Sequence, residues 1–300
     1  MTGRTPAAQR GPGEGIGLVG MLPTPLTADA THVDHASLVA VARVMVERGC
    51  TSLVALGVVG EPGALSTAEQ LAVLTTVREA LPATPLTAAL MVGDEDAVLE
   101  TARRLRGALP LLDSVLVPVP SGSPEVTRAF LQRVHAATGL PVVVQDYPGA
   151  TGVRISVDDL VRACADLPFV AAVKCEAPPT FLRIAELARR TDTVLMAGLG
   201  GANLVEELRA GARSVACGIT RPEVLSAVVA AWSDGHERAA RALLAGIGAL
   251  IALETHAGTS IGVRKEHWRR QGVIASAAVR PPALPYPEDL SLASESLGLG

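Results

Sequence analysis

Two of the 26 Lys and Arg residues in this 300-residue chain are lysines, Lys174 and Lys265. A guanidinium keeps its proton at any working pH, whereas an amine withdrawn from water sheds its charge and becomes nucleophilic. Lys174 closes the apolar run Phe169-Val170-Ala171-Ala172-Val173, a setting in which an amine can attack a ketone carbonyl and form a Schiff base. A lysine at a strand end can equally snorkel to solvent, so its neighbours must decide.

Glu176 stands two residues further on, roughly 6.6 Å along an extended chain. It is a candidate general acid/base that can serve an imine without quenching the amine; the alternative is a loop carboxylate paired with an arginine. Strict alternation puts Val170, Ala172, Lys174 and Glu176 on one face and Phe169, Ala171, Val173 and Cys175 on the other. Cys175 therefore reads as a small buried hydrophobe facing the helix layer.

These groups need a scaffold, and its pattern runs from about residue 17 to 233. Short apolar runs alternate with longer stretches of helical period, giving strand candidates Gly17–Leu22, Ser52–Leu56, Leu86–Met91, Ser114–Val119, Pro141–Gln145, Val170–Lys174, Val194–Ala197 and Ser214–Cys217. Near-continuous apolar strands are those of a parallel sheet covered on both faces. Helix starts are marked by Ser66-Thr67-Ala68-Glu69, Ser156-Val157-Asp158-Asp159 and Thr220-Arg221-Pro222-Glu223, which fit the [ST]xx[DE] cap, and by Ser123-Pro124. Gly49 is a stop for the first helix.

Eight such units without a composition break predict an α/β fold of the (β/α)8 TIM barrel type with additional C-terminal helices, in preference to an open sheet. The expected organisation is a flexible leader over 1–15, the barrel over 16–234, a helical extension over 235–272 that packs across the barrel or forms a subunit contact, and an irregular tail over 273–300. Pro281, Pro282, Pro285 and Pro287 oppose regular structure in that tail.

Composition bounds the partners. A net charge of −4 with scattered arginines offers no basic stripe for nucleic acid. The stretch 243–253 is far short of the ~20 residues that span a bilayer, so no membrane partner is expected. Cys50, Cys164, Cys175 and Cys217 form no CxxC pair, which points to neither zinc nor a disulfide framework and makes the cytoplasm the expected location. His135 and His256 lack partners at metal or triad spacing. Arg264-Lys265-Glu266-His267-Trp268-Arg269-Arg270 reads as a solvated helical face or an oligomer seam, and Arg221 as solvent-facing or a subunit contact more than a ligand for a carboxylate.

Taken together, Gly57-Val58-Val59-Gly60-Glu61 with Leu65-Ser66, Pro148 with Thr151-Gly152, and Val173-Lys174 resemble the dihydrodipicolinate synthase and N-acetylneuraminate lyase family of class I Schiff-base lyases. The resemblance covers roughly residues 17 to 272. It implies a barrel, a homo-oligomer (dimer or tetramer), and an imine between Lys174 and a small 2-oxo acid such as pyruvate, with no metal or other cofactor. It also implies that the loop after strand two holds the substrate carboxylate. Val58 and Val59 stand where hydroxyl residues are common, so the backbone N–H groups of Val58, Val59 and Gly60 would have to do the holding.

The departures narrow the activity. Gln145 aligns with the family's strand-five tyrosine, Ala150 with its arginine and Pro120 with the strand-four tyrosine, which argues against dihydrodipicolinate synthase itself. Gln145-Asp146 and Glu176 look more like the 2-keto-3-deoxy sugar acid dehydratase branch, in which the carboxylate removes a proton and expels water. Tyr147 shares parity with Gln145 and could supply a displaced phenol, or simply pack on Pro148. Asp146 points away from the axis, as a loop anchor. Gly198-Leu199-Gly200-Gly201 shapes either the floor of the 2-oxo acid site, with Gly198 and Gly200 against the substrate, or a phosphate cradle.

The leading expectation is therefore dehydration by Lys174, Glu176, Gln145 and Tyr147. A pyruvate-dependent aldolase or synthase, a catalytically reduced 2-oxo acid-binding homologue and a phosphate-binding barrel enzyme are the alternatives.

Overall fold

Runs of valine, alanine and leucine with no polar position to turn toward water must be covered on both sides. The computed structural model, which describes residues 15–91 and 94–299, meets that requirement by closing the sheet. The strands β1 (Gly17–Met21), β2 (Ser52–Ala55), β3 (Leu86–Ala89), β4 (Ser114–Pro118), β5 (Val142–Asp146), β6 (Val170–Cys175), β7 (Val194–Ala197) and β8 (Ser214–Cys217) pair in parallel in sequence order. β8 pairs with β1, so the fold is a (β/α)8 barrel followed by further helices, as the alternation predicts. The leader expected over 1–15 lies almost wholly outside the described residues.

The bore is filled by Val19, Met21, Val54, Ala89, Leu116, Val143, Met196 and Ala216, all buried. A larger layer between strands and helices holds most of the remaining aliphatic side chains. On β6 the expected alternation breaks. Val142 of β5 pairs with Val170 but Val143 pairs with Ala172, so Ala171 is an extra residue in the ladder. This bulge turns both Ala171 and Ala172 toward the bore and leaves Val170 in the outer layer, contrary to simple parity. Above it the alternation resumes, with Cys175 in the outer layer and Lys174 facing inward.

Helix starts follow the cap chemistry, with one exception. Ser66 and Glu69 make the reciprocal capping box, and Ser123 and Ser156 accept from the N–H of Val126 and Asp159. Thr220 does not cap the helix Pro222–Ser233: its hydroxyl and N–H both go to the buried carboxylate of Glu254, and Arg221 takes the cap position without a side-chain bond.

The helical extension comprises Glu237–Gly246, Gly248–Thr255 and Ser260–Arg270. The last of these packs across the carboxyl end of the barrel, and the run 264–270 is not a solvated face: Arg264 through Trp268 are all buried. Trp268 lies under the Arg48 guanidinium, 5.7 Å from ring centre to Cζ, and His267 bonds Glu254 through Nδ1 at 2.6 Å and Ser294 through Nε2 at 2.9 Å. The tail is irregular through its prolines but not to its end, since a turn over Glu288–Leu290 and a helix over Ser291–Ser296 begin directly after Pro287. Within the irregular part, Arg280 clamps Glu69 with Nη2–Oε1 at 2.7 Å and Nη1–Oε2 at 3.1 Å, and its bonds to the carbonyls of Ala30, Thr31 and Ala64 tie the tail to the loops after β1 and β2.

Candidate active site

Barrel strands present their last inward side chains to one another at the carboxyl end, which makes that rim the place to look for chemistry. Lys174 ends there on β6, between Gln145 of β5 and Met196 of β7 in the strand register. Its amine is buried and stands 3.2 Å from Glu176 Oε2. The spacing along the chain predicts a wider gap; the two side chains close it, although the Glu176 N–H still bonds β5.

Glu176 is itself held on three sides. Gln145 Nε2 donates to Oε2 at 2.6 Å, the Leu199 N–H donates to Oε1 at 3.0 Å, and the Glu176 N–H donates to Asp146 O at 2.9 Å. Leu199, Gly200 and Gly201 all take positive φ (50°, 68° and 82°), an arrangement that costs a leucine about 1 kcal/mol and aims its N–H at the carboxylate. Gly198 is needed for a different reason: a Cβ there would fall 2.3 Å from Glu176 Cγ and 2.5 Å from Oε1. Gly198 thus makes room for Glu176.

Around these groups lies a cavity of about 120 Å³, lined also by Gly57, Val58, Val59, Tyr147, Gly200 and Arg264. Tyr147 faces this space, and burial, then the Glu176 charge, pushes its phenol pKa up. In the turn after β2, Gly60 and Glu61 donate their N–H groups to Gly57 O and Val58 O. The N–H groups of Val58 and Val59 lead that turn, where no internal acceptor is available to them. Gly60 is not among the lining residues: its N–H is spent on the turn and its carbonyl accepts from Thr24 Oγ1 at 2.8 Å. Its place is structural, against Leu22 and Thr24.

Of the residues singled out in the sequence, Lys174, Glu176, Gln145, Tyr147, Val58, Val59 and Gly200 therefore meet in one cavity, while Gly60 and Gly198 support it from behind. Asp146 points outward, as parity requires, and pairs with Arg183, although burial outweighs that partner and raises its pKa. Arg221 lies outside the cavity beside Glu223, at 3.9 Å. His135 stacks on Phe169 with ring centres 4.2 Å apart.

Two contributors were missed by sequence reasoning: the Leu199 N–H and the Arg264 side chain. Val263, just ahead of the charged run, and His267 within it, four apart, were the available sign that this helix has a buried face.

The sequence profile of the dihydrodipicolinate synthetase family matches residues 15–297. The chain belongs to that family. A 4-hydroxy-tetrahydrodipicolinate synthase of Kineococcus radiotolerans is 31% identical over 284 residues, 92% of this chain and 90% of that protein. The chain aligns with only about half the length of two other relatives. A 4-hydroxy-tetrahydrodipicolinate synthase of Streptomyces coelicolor is 36% identical over 44% of each chain, and the L-2-keto-3-deoxyarabonate dehydratase of Azospirillum brasilense is 30% identical over 51% of this chain and 50% of that one. The crystal structure of dihydrodipicolinate synthase from Rhodopseudomonas palustris superposes with a TM-score of 0.86 at 23% identity, covering 94% of this chain and 96% of that one, a likeness of fold. Members of the dihydrodipicolinate synthetase family are lyases of the class I Schiff-base type. No helix among the described residues is long and apolar enough to cross a membrane.

Proposed function

We propose that the protein is a Schiff-base lyase that removes water from a small 2-keto-3-deoxy sugar acid. The observation that carries this reading is the contact of Lys174 with a carboxylate that is separately fixed by Gln145 and Leu199. Glu176 takes the ammonium proton, and the freed amine attacks the C2 carbonyl. Returning that proton to the carbinolamine hydroxyl expels water and leaves an iminium on Lys174. The iminium is an electron sink, so the same carboxylate removes a proton from C3 to give the enamine. It then delivers that proton to the departing C4 hydroxyl, so that water leaves and the carboxylate is regenerated. Hydrolysis of the unsaturated imine releases a dehydrated 2-oxo acid and the amine. Because Glu176 is held by hydrogen bonds that do not involve the amine, it stays in place when Lys174 becomes covalently occupied. Tyr147, which lines the same cavity, assists at the leaving hydroxyl in this reading.

A second reading, a pyruvate-dependent aldolase or synthase, is favoured by the near full-length similarity to the Kineococcus synthase. Against it, Gln145 occupies the strand-five position and lacks a transferable proton of phenolic strength. Reduction with borohydride in the presence of pyruvate or a keto-deoxy sugar acid should add one adduct mass on Lys174, and Lys174→Ala should take up none. Equal labelling of the two proteins sinks the Schiff-base assignment. Incubating the same acids without reductant separates the readings: water elimination without pyruvate release marks the dehydratase, and pyruvate release marks the aldolase.

A further inference from the structure

Three guanidiniums packed around the upper end of the barrel have anionic or carbonyl partners, and a fourth, that of Arg264, has none among the described residues. Arg183 pairs with Asp146, Arg280 with Glu69, and Arg48 reaches Gln271 and Glu223. Arg264 is buried, lines the cavity that holds Lys174, forms no ion pair among the described residues, and leaves its Nε without a hydrogen-bond partner. Glu254 is the main opposing charge it feels, but both oxygens of that carboxylate are already occupied by Thr220 and His267. Burial consequently pulls the Arg264 pKa down. A guanidinium in such a place is costly until an anion joins it.

The geometry indicates which anion. A Cβ on Gly218, after β8, would lie 3.9 Å from Arg264 Nη2 and 3.8 Å from Met21 Cβ, while a Cβ on Gly57, after β2, would lie 3.3 Å from Met21 Cε. The guanidinium and the Gly57-Val58-Val59 turn therefore flank the same Met21 at the end of β1, and β6 with Lys174 stands on the other side of the ring. The lining carries two basic side chains, Lys174 and Arg264, against the one carboxyl side chain of Glu176, which leaves one basic group in excess. One carboxylate balances it; two would leave the cavity negative.

We propose that Arg264 is the carboxylate anchor of this pocket, gripping the acid group of a 2-oxo monocarboxylate together with the Val58 and Val59 N–H groups. The anchor is brought in from a helix outside the barrel, and it takes the place of the side-chain hydroxyls that Val58 and Val59 cannot offer. It selects substrates with one carboxylate and an uncharged tail over 2-oxo diacids. The proposal rests on the Schiff-base reading of Lys174.

The test is reductive trapping with cyanoborohydride on wild type, Arg264→Met and Arg264→Lys, each titrated with pyruvate and with methyl pyruvate, its uncharged ester. In Arg264→Met the half-saturating pyruvate concentration should rise by about tenfold to a hundredfold, as expected for loss of a charge-assisted bond. That for methyl pyruvate should stay near the wild-type value. Arg264→Lys should fall between, and its retained charge keeps the test valid if the Met variant folds poorly. The melting temperature of Arg264→Met should be equal to or above that of wild type, because an unpaired buried cation has been removed. An equal rise for both ligands, or no rise for pyruvate, overturns the anchor while leaving Lys174 as the imine former. Absence of any Lys174 adduct in wild type overturns the Schiff-base reading and the anchor with it.

Discussion

Lys265, on the helix Ser260–Arg270, and Lys174, at the end of β6, are both buried beside a glutamate, yet their surroundings differ in what lies on the remaining side. Lys265 is fully enclosed: it pairs with Glu61, donates to Ala278 O at 2.9 Å, and has protein on every side. Burial lowers its pKa and Glu61 opposes that shift. Lys174 has the cavity on its open side, and its glutamate is anchored by Gln145 and Leu199 as well. Both amines are buried beside a carboxylate; what sets Lys174 apart is the cavity and a carboxylate held independently of it, the two features on which the proposed reaction depends. Glu61 closes a loop onto the C-terminal helix, whereas Glu176 borders the cavity and is the proton carrier in the proposed reaction.

The contrast is tested most severely by Glu176→Gln. It should cut turnover by about 10²–10⁴-fold, the range for loss of a general acid/base, while slow borohydride trapping on Lys174 persists. Unchanged turnover would make Glu176 a structural partner like Glu61.

Lys265→Met should instead destabilise the fold by about 3–5 kcal/mol, since Glu61 is left charged and buried without its partner. Turnover per folded molecule should not change; denaturant melts alongside activity assays separate the two effects.

A third carboxylate sharpens the picture from behind β6. Glu207 is buried, accepts from the Thr180 hydroxyl and is pushed up to about 7, by burial first and then by Glu176. An acid whose folded pKa lies above its unfolded value costs stability as pH rises past the unfolded value, and the full cost is reached above the folded one. Glu207→Gln should therefore be near neutral at pH 4 and stabilising at pH 8, by up to roughly 3 kcal/mol. A pH-independent effect would place Glu207 with the ordinary ion pairs.

The smallest effect is expected from Gly198→Ala, whose methyl must displace the Glu176 side chain. Turnover should fall about tenfold, a cost of roughly 1.4 kcal/mol, with the melting temperature little altered. A drop in melting temperature with turnover intact would show that the glycine serves packing alone.

The barrel was legible because its strands are continuous apolar runs and its helices begin at Ser66, Ser123 and Ser156, where local chemistry alone sets the boundary. Lys174 was legible for the same local reason, standing at the end of such a run in a chain nearly free of lysine. What escaped depends on distant partners. Thr220 has the form of a helix cap, but Glu254, 34 residues away, takes its hydroxyl. The charged run 264–270 has the composition of a solvated surface, but Glu61, Glu254 and Ser294 lie ready to receive Lys265 and His267. The 3.2 Å approach of Glu176 to Lys174 goes with a carboxylate held by Gln145, 31 residues before it, and Leu199, 23 residues after it, which the residue types around Lys174 do not announce.

The extra residue on β6 has a consequence for how this strand tolerates insertion and deletion. Ala171 has no counterpart on β5, and the pairs on either side of it, Val142 with Val170 and Val143 with Ala172, would be consecutive rungs without it. Excising Ala171 therefore leaves the frame of the strand's upper half unchanged, and the amine still points inward. Excising Val173 leaves the same number of residues between Val170 and Lys174, but sets Ala172 where an outer-layer valine packs, so its cost falls on packing.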